Sequence, residues 1–314
     1  MGFFLQQKRE VMTESSIFDI IADLDTPVSA FMKLRDLQPR FLLESVEGGE
    51  RLARYSFLGF GAASTVRLEH NDLYLDEKVI GQPKSQIEYL QSLRELLSVA
   101  PQLTPSIDDL PFSGGLVGVS GYDIIRLFEE LPTLTKPQEN LPRAIFVMPT
   151  SVLVFDHLTR RAALLHAGSE TARKQLKQQV IQCLRASLPV DEEPSTFTEP
   201  EAQMSEVEFL RRVEQCKKWI DSGDIYQIVL SVVFKGQSNV DSFEVYRALR
   251  LLNPSPYMFY FDFGAIRVAG SSPEALVKLD GTKASLRPIA GTMPRGANRE
   301  EDLLNEKTLL EIGR

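Results

Sequence analysis

The sequence predicts an α+β fold in two parts joined by a linker, and three observations carry that expectation. Residues 17–170 alternate short β-patterned runs with a few amphipathic helical stretches. Residues 188–203, "LPVDEEPSTFTEPEAQ", hold three prolines and five carboxylates with little apolar content, which is linker composition. A new helix opens just beyond it, with Ser205 and Glu208 as an S-x-x-E capping box and Phe209, Val213, Cys216 and Ile220 along one face.

In the first part, "AFMKLRD" after Ser29 predicts a helix over 28–35, and strands follow at 40–46, 55–59, 64–70 and 72–75. The polar "HND" at 70–72 turns the last two into a hairpin. Leu90, Leu93, Leu96 and Leu97 recur at helical spacing in "IEYLQSLRELLSVA", 87–100. The Gly-rich run at 112–132 reads as a strand leading into a helix, and 144–157 and 160–168 as two further strands.

In the second part the capped helix ends at Gly223, a residue suited to the left-handed position past a helix end. "DIYQIVLSVVF", 224–234, is apolar enough for a strand covered on both faces. A helix over 242–253 is stopped by Pro254, a strand covers 256–263, and Asp280-Gly281 marks a hairpin within 275–289. "NREEDLLNEKTLLEIGR" begins a last helix.

The 314 residues carry 35 Lys and Arg against 43 Asp and Glu, a net charge of −8, which argues against the basic face that nucleic acid needs. An anionic small substrate stays possible, since a local pocket can be positive on an acidic protein. Two unpaired cysteines, Cys183 and Cys216, speak against a disulfide framework and fit a reducing cytoplasm. No apolar run approaches the roughly 18 residues of a membrane span. The start lacks the apolar core of a signal peptide. Residues 1–24 are expected to be a leader segment, with Met1 or Met12 as the start.

The generic catalytic motifs are absent. There is no phosphate-binding G-x-x-x-x-G-K-[ST] and no G-x-S-x-G elbow, and "GGLVGVSG" misses G-x-G-x-x-G because Ser113 stands where the first glycine should fall. Tight backbone packing in a sheet accounts for those glycines. His70, His157 and His166 are scattered, without metal-ligand spacing.

What stands out is polar chemistry in apolar surroundings. Gln227 sits among Ile225, Tyr226, Ile228, Val229 and Leu230, and a buried amide there must be hydrogen-bonded, either as a structural cross-strand bond or as part of a site. Glu274, in "GSSPEALVKL", is either a solvated loop acid or a poised general acid. Backbone groups of Gly291 and Thr292, in "RPIAGTMPRG", could meet a carboxylate.

Six strings stand in order: "FLLESVEGGERLARYSFLG" (41–59), "GGLVGVSGYD" (114–123), "SGDIYQIVLS" (222–231), "NPSPYMFYFDF" (253–263), "GSSPEALVKL" (270–279) and "RPIAGTMPRG" (287–296). Together they resemble the anthranilate synthase component I group of the chorismate-utilising enzymes, over nearly the whole chain from about residue 25. The resemblance implies an antiparallel β-sandwich flanked by helices. It divides the chain into an N-terminal regulatory region (25–187), the linker (188–203) and the start of a chorismate-binding catalytic domain (204–314), whose catalytic half is incomplete.

The resemblance also implies roles. Glu274 matches the general acid that protonates the departing C4 hydroxyl of chorismate, and Ala290, Gly291 and Thr292 match substrate contacts. Members that activate water place Lys where Gln227 stands, and Gln cannot serve as a base, which fits ammonia as the nucleophile. Aminodeoxychorismate synthases usually carry Lys where Ala290 stands, able to attack covalently, so Ala290 favours anthranilate. Tryptophan is implied as a feedback inhibitor, held by Leu43, Glu44 and Ser45 on one wall and Pro256, Tyr257 and Met258 on the other.

Implied partners are chorismate and a glutamine amidotransferase subunit (component II) that supplies ammonia from glutamine. The family's Mg2+ is implied too, with ligands in segments beyond "RPIAGTMPRG", so none is assigned in this chain. "EKTLLEIGR" departs from the family run expected there, and the chain is expected to be truncated and inactive alone. Two other readings stand beside this one: an aminodeoxychorismate synthase, and a non-catalytic module that keeps a tryptophan or partner-binding surface.

Overall fold

The computed structural model describes residues 17–45, 54–108, 110–132, 141–189, 194–286 and 292–312. Contacts divide the chain into two compact units, one of residues 1–189 with 246–314 and the other of 190–245.

The first unit is built on one ten-stranded antiparallel sheet. Its axis is a ribbon of two long strands, β3 (Tyr55–Glu69) and β7 (Ala144–Asp156). The expected strands 55–59 and 64–70 are one strand, interrupted by a register shift between Phe60 and Ala63 where Gly61 takes φ +84°. At one end the ribbon is flanked by β2 (Pro39–Glu44) and by β8 (Arg161–His166), which pairs with β1 (Ile20–Ile21). At the other end it carries β4 (Asp72–Leu75), β5 (Lys78–Gly81) and β6 (Val117–Ser120).

Strands from beyond the linker join this same sheet. β11 (Tyr257–Asp262) lies between β2 and β12 (Arg267–Ser272), so that Met258 is opposite Glu44 and Phe259 opposite Leu43. The hairpin β13 (Lys278–Asp280) and β14 (Lys283–Ser285) turns at Gly281, φ +57°, as the Asp-Gly signal predicts.

Side chains alternate across each strand, so the two sheet faces have different partners. One face closes on Phe41, Phe57, Val117, Val147, Val152, Val154, Leu165 and Phe261, with Leu43 and Phe259 packed against them. Helix α2 (Gln86–Val99) brings Tyr89 and Leu96 to a second cluster with Val66, Leu68, Leu73 and Met148. Helix α1 (Pro27–Lys33) starts on a Thr26–Ser29 capping box, one residue before the expected start at 28. Its Phe31 meets Tyr260 edge-on at 5.3 Å. Helix α3 (Glu170–Arg185), capped by Ser169, was not anticipated from periodicity. The expected helix near 124–128 is a 3-10 turn, Tyr122–Leu127.

The second unit holds a short strand pair, β9 (Glu201–Ala202) with β10 (Phe234–Lys235), and helix α4 (Glu206–Asp221). Ser205 caps α4 as expected, with the Glu208 N–H donating to its Oγ at 3.3 Å, but the Glu208 carboxylate turns to Arg211 and Arg212 instead of back to the cap. The buried strand expected over 224–234 does not form: residues 225–233 run as irregular chain with Tyr226 94% and Val229 82% exposed. A strand is held by a ladder to a neighbour, and among the described residues only Val233 takes a cross-strand bond, from the Gln203 N–H at 2.7 Å, so apolar content alone leaves the run uncovered. Helix α5 (Ser242–Leu252) follows, and α6 (Arg299–Ile312) closes the described chain. No helix among the described residues is long and apolar enough to cross a membrane.

Candidate functional site

Glu274 lies in the turn between β12 and β13, exposed, with its carbonyl accepting from Ser272 Oγ at 3.1 Å. Gln227 is not the buried mid-strand amide expected from its neighbours. It is exposed, within the irregular segment of the second unit, for the reason that leaves the run uncovered. Thr292 is exposed ahead of α6, while Ala290 and Gly291 fall outside the described residues.

The segments expected to wall an amino-acid site, Leu43–Ser45 and Pro256–Met258, lie side by side. The register that sets Glu44 opposite Met258 brings together two stretches about two hundred residues apart in the chain. Leu43 turns toward the sheet's inner cluster. Ser45 and Pro256 are half-buried at the strand ends, and Tyr257 is 42% exposed. Met258 is buried, with Ser255 Oγ donating toward its Sδ at 3.4 Å.

Glu44 turns the other way and meets α5. Its side chain is 2% exposed, and the Tyr246 hydroxyl donates to Oε2 at 2.6 Å. Arg250 Nε donates to the same oxygen at 3.1 Å and Nη2 to Oε1 at 3.4 Å. Spacing of four residues puts Tyr246 and Arg250 on one face of the helix. Burial first, then the Glu44 charge and the hydrogen bond to it, push the Tyr246 hydroxyl far above its ordinary pKa, so it stays a donor throughout the working pH range. The Tyr246 ring lies 5.8 Å from that of Tyr260, its neighbour on β11. The sequence reading missed Tyr246 and Arg250, although their i, i+4 spacing just ahead of "NPSPYM" was visible.

A second polar group sits at the end of the β3–β7 ribbon. Ser56 Oγ is 2.8 Å from His157 Nε2, and burial pulls that imidazole below its usual pKa against the opposing effect of Glu44 and Asp156. Beside it Asp156, 2% exposed, accepts from Arg54 Nη2 at 3.1 Å. A cleft of about 250 Å³ here is lined by Asp23, Asp25, Asp156, His157, Arg160 and Arg161. Two of its carboxylates are already neutralised, Asp156 by Arg54 and Asp25 by Lys33 at 2.8 Å.

Among the described residues no group of three or more His, Cys, Asp and Glu converges as a metal site.

Comparison with known proteins gives a consistent result. A family model described as chorismate binding enzyme matches residues 38–312. Anthranilate synthase component 1 of Thermus thermophilus is 38% identical over 286 residues, 90% of this chain and 60% of that protein. The protein of the same name from Acetivibrio thermocellus is 34% identical over 311 residues, 93% of this chain and 62% of that protein. The crystal structure of anthranilate synthase component I from Streptococcus pneumoniae aligns with a TM-score of 0.59 at 30% identity, covering 73% of this chain and 52% of that one. The chain thus spans about 60% of the length of the curated relatives it matches. With that match running from β2 to α6, the chain belongs to the chorismate binding enzyme family.

Proposed function

We propose that this chain is part of an anthranilate synthase component 1, an enzyme that converts chorismate and ammonia to anthranilate, pyruvate and water. The observation that carries the reading is the 34–38% identity to proteins of that name across 90–93% of the chain, and all six motifs lie within the family match at 38–312.

The residues support a division of roles. Ammonia adds at C2 and the C4 hydroxyl leaves as water, protonated by Glu274. Loss of the C2 proton then expels the side chain as pyruvate and restores the aromatic ring. Gln227 offers an amide, which can hydrogen-bond a nucleophile but cannot take its proton, and ammonia needs no such base. Ala290 has no amine to attack the ring, which favours anthranilate over aminodeoxychorismate. Gly291 and Thr292 hold the substrate. A second subunit releases the ammonia from glutamine, and magnesium is held by parts of the whole enzyme other than the described residues.

A regulatory role is proposed for the β2–β11 strand ends. The adjacency of Leu43, Glu44 and Ser45 to Pro256, Tyr257 and Met258 supports a tryptophan site there.

The chain fused to the part of the Thermus thermophilus relative beyond the matched segment, given chorismate, ammonium and magnesium, is expected to make anthranilate, followed by its fluorescence. A folded fusion that makes no anthranilate would overturn the reading. Aminodeoxychorismate as the fusion's product would overturn the choice of reaction.

A further inference from the structure

Glu44 poses a physical problem that neither the reaction nor the fold answers. Among the described residues it is the one buried glutamate, and its neighbours along the strand, Leu42 and Leu43, and its cross-strand partner Met258 are apolar. Taking a carboxylate out of water is costly, and an apolar pair of similar volume often serves stability as well or better. A buried charge pair is better explained where it fixes one arrangement among several.

The geometry here selects one arrangement. The Tyr246 hydroxyl and the Arg250 guanidinium approach the carboxylate from one helix face, at 2.6 and 3.1 Å, and Tyr246 is fully buried. A slip of β2 by one residue would turn Glu44 to the inner cluster and take the carboxylate away from both donors. Leu43 and Ser45 flank Glu44 directly, so whatever holds its carboxylate also sets their backbone.

We propose that Tyr246 and Arg250 are positioning residues: by gripping Glu44 they fix the Leu43–Ser45 backbone against β11 and so set the affinity of that strand pair for a free amino acid. The helix touches the strand and not the ligand. The proposal rests on the reading of the β2–β11 ends as a tryptophan site. It adds that α5 determines the site's affinity through a residue whose own side chain is already occupied.

The test is calorimetric titration of the purified chain with tryptophan, on wild type, Tyr246→Phe and Arg250→Gln. Val66→Ala, in the cluster under α2, serves as a destabilised control. Tyr246→Phe keeps the ring against Tyr260 and removes only the donor. Each variant is measured well below its melting temperature, with circular dichroism confirming that it is folded. The expected result is binding at least about tenfold weaker in both positioning variants and unchanged in the control. Hydrogen exchange should rise at Leu43–Ser45 in Tyr246→Phe and stay constant in β7. Equal affinity in wild type and both variants overturns the proposal and leaves the tryptophan site standing. Weakening of the same size in Val66→Ala also overturns it, because the effect would then follow stability. A folded wild type that releases no heat overturns the site itself, and the proposal with it.

Discussion

The Tyr246 hydroxyl hydrogen-bonds the Glu44 carboxylate at 2.6 Å, joining helix α5 to strand β2 across 202 positions of sequence. Hydrogen bonds to charged groups contribute about 1.5–3 kcal/mol, and removing one partner of a buried ion pair costs about 3–5 kcal/mol. Tyr246→Phe should therefore lower stability by about 1.5–3 kcal/mol. Glu44→Ala should lower it by about 3–5 kcal/mol, because it leaves both donors without their acceptor. Denaturant midpoints of the two variants check this. Equal small losses would mean that the carboxylate is solvated and not gripped.

Two glycines of the sheet face aromatic rings on the next strand. Gly59 is paired with Phe41 and Gly270 with Phe259, and a Cβ on Gly59 would lie about 2.0 Å from the Phe41 ring. That ring is fully buried and packed against Phe112 and Phe261, so it has no free direction in which to move. Overpacking of this kind costs about 1–3 kcal/mol. Thermal melting should show Gly59→Ala destabilised by that amount, with part of the loss recovered in Gly59→Ala/Phe41→Leu. Without recovery in the double variant, the clash would not lie with Phe41.

The Asp156–Arg54 pair should give the protein an acid-sensitive component. Burial works to raise the Asp156 carboxyl, but hydrogen bonds from Arg54 and from the Leu158 N–H, with the Arg54 charge, hold it below its ordinary value. A depressed folded pKa contributes stability that is fully present above the unfolded carboxylate value of about 3.9 and is lost as pH falls through the folded value. The slope of stability against pH below about 4 should thus be shallower in Asp156→Asn than in wild type. Parallel curves would show that the pair titrates as it does in the unfolded chain.

Residues 225–233 should exchange their amide hydrogens far faster than those of β7. Backbone hydrogen bonds and burial protect an N–H, and this segment forms no strand, whereas β7 is paired along its length by β3. Mass-resolved exchange on peptides from the two segments measures the contrast directly. Protection of 225–233 equal to that of β7 would mean that the segment is paired after all.

The α+β class, the capped helix at Ser205, the Asp280-Gly281 hairpin and the edges of most strands were legible in sequence because their signals are local. Periodicity, a cap residue and a turn dipeptide act over a few positions. The six motifs and their order likewise pointed to the family before any fold was known. Helix α3 escaped, although Ser169 caps it, since its apolar positions are few and only Val180 and Leu184 are buried.

Local signals along the chain carried most of its elements and the family, and Glu274, Gln227 and Ala290 enter the proposed chemistry by residue type. Three further matters rest on the tertiary structure. It set β11 beside β2, a non-local pairing that no window of sequence encodes. It turned Glu44 to Tyr246 and Arg250 and away from the inner cluster. It also left the apolar run at 225–233 exposed. The physical reason is common to all three: an apolar or polar residue states what it needs, while burial, pairing and charge compensation depend on which other segment is there to supply it.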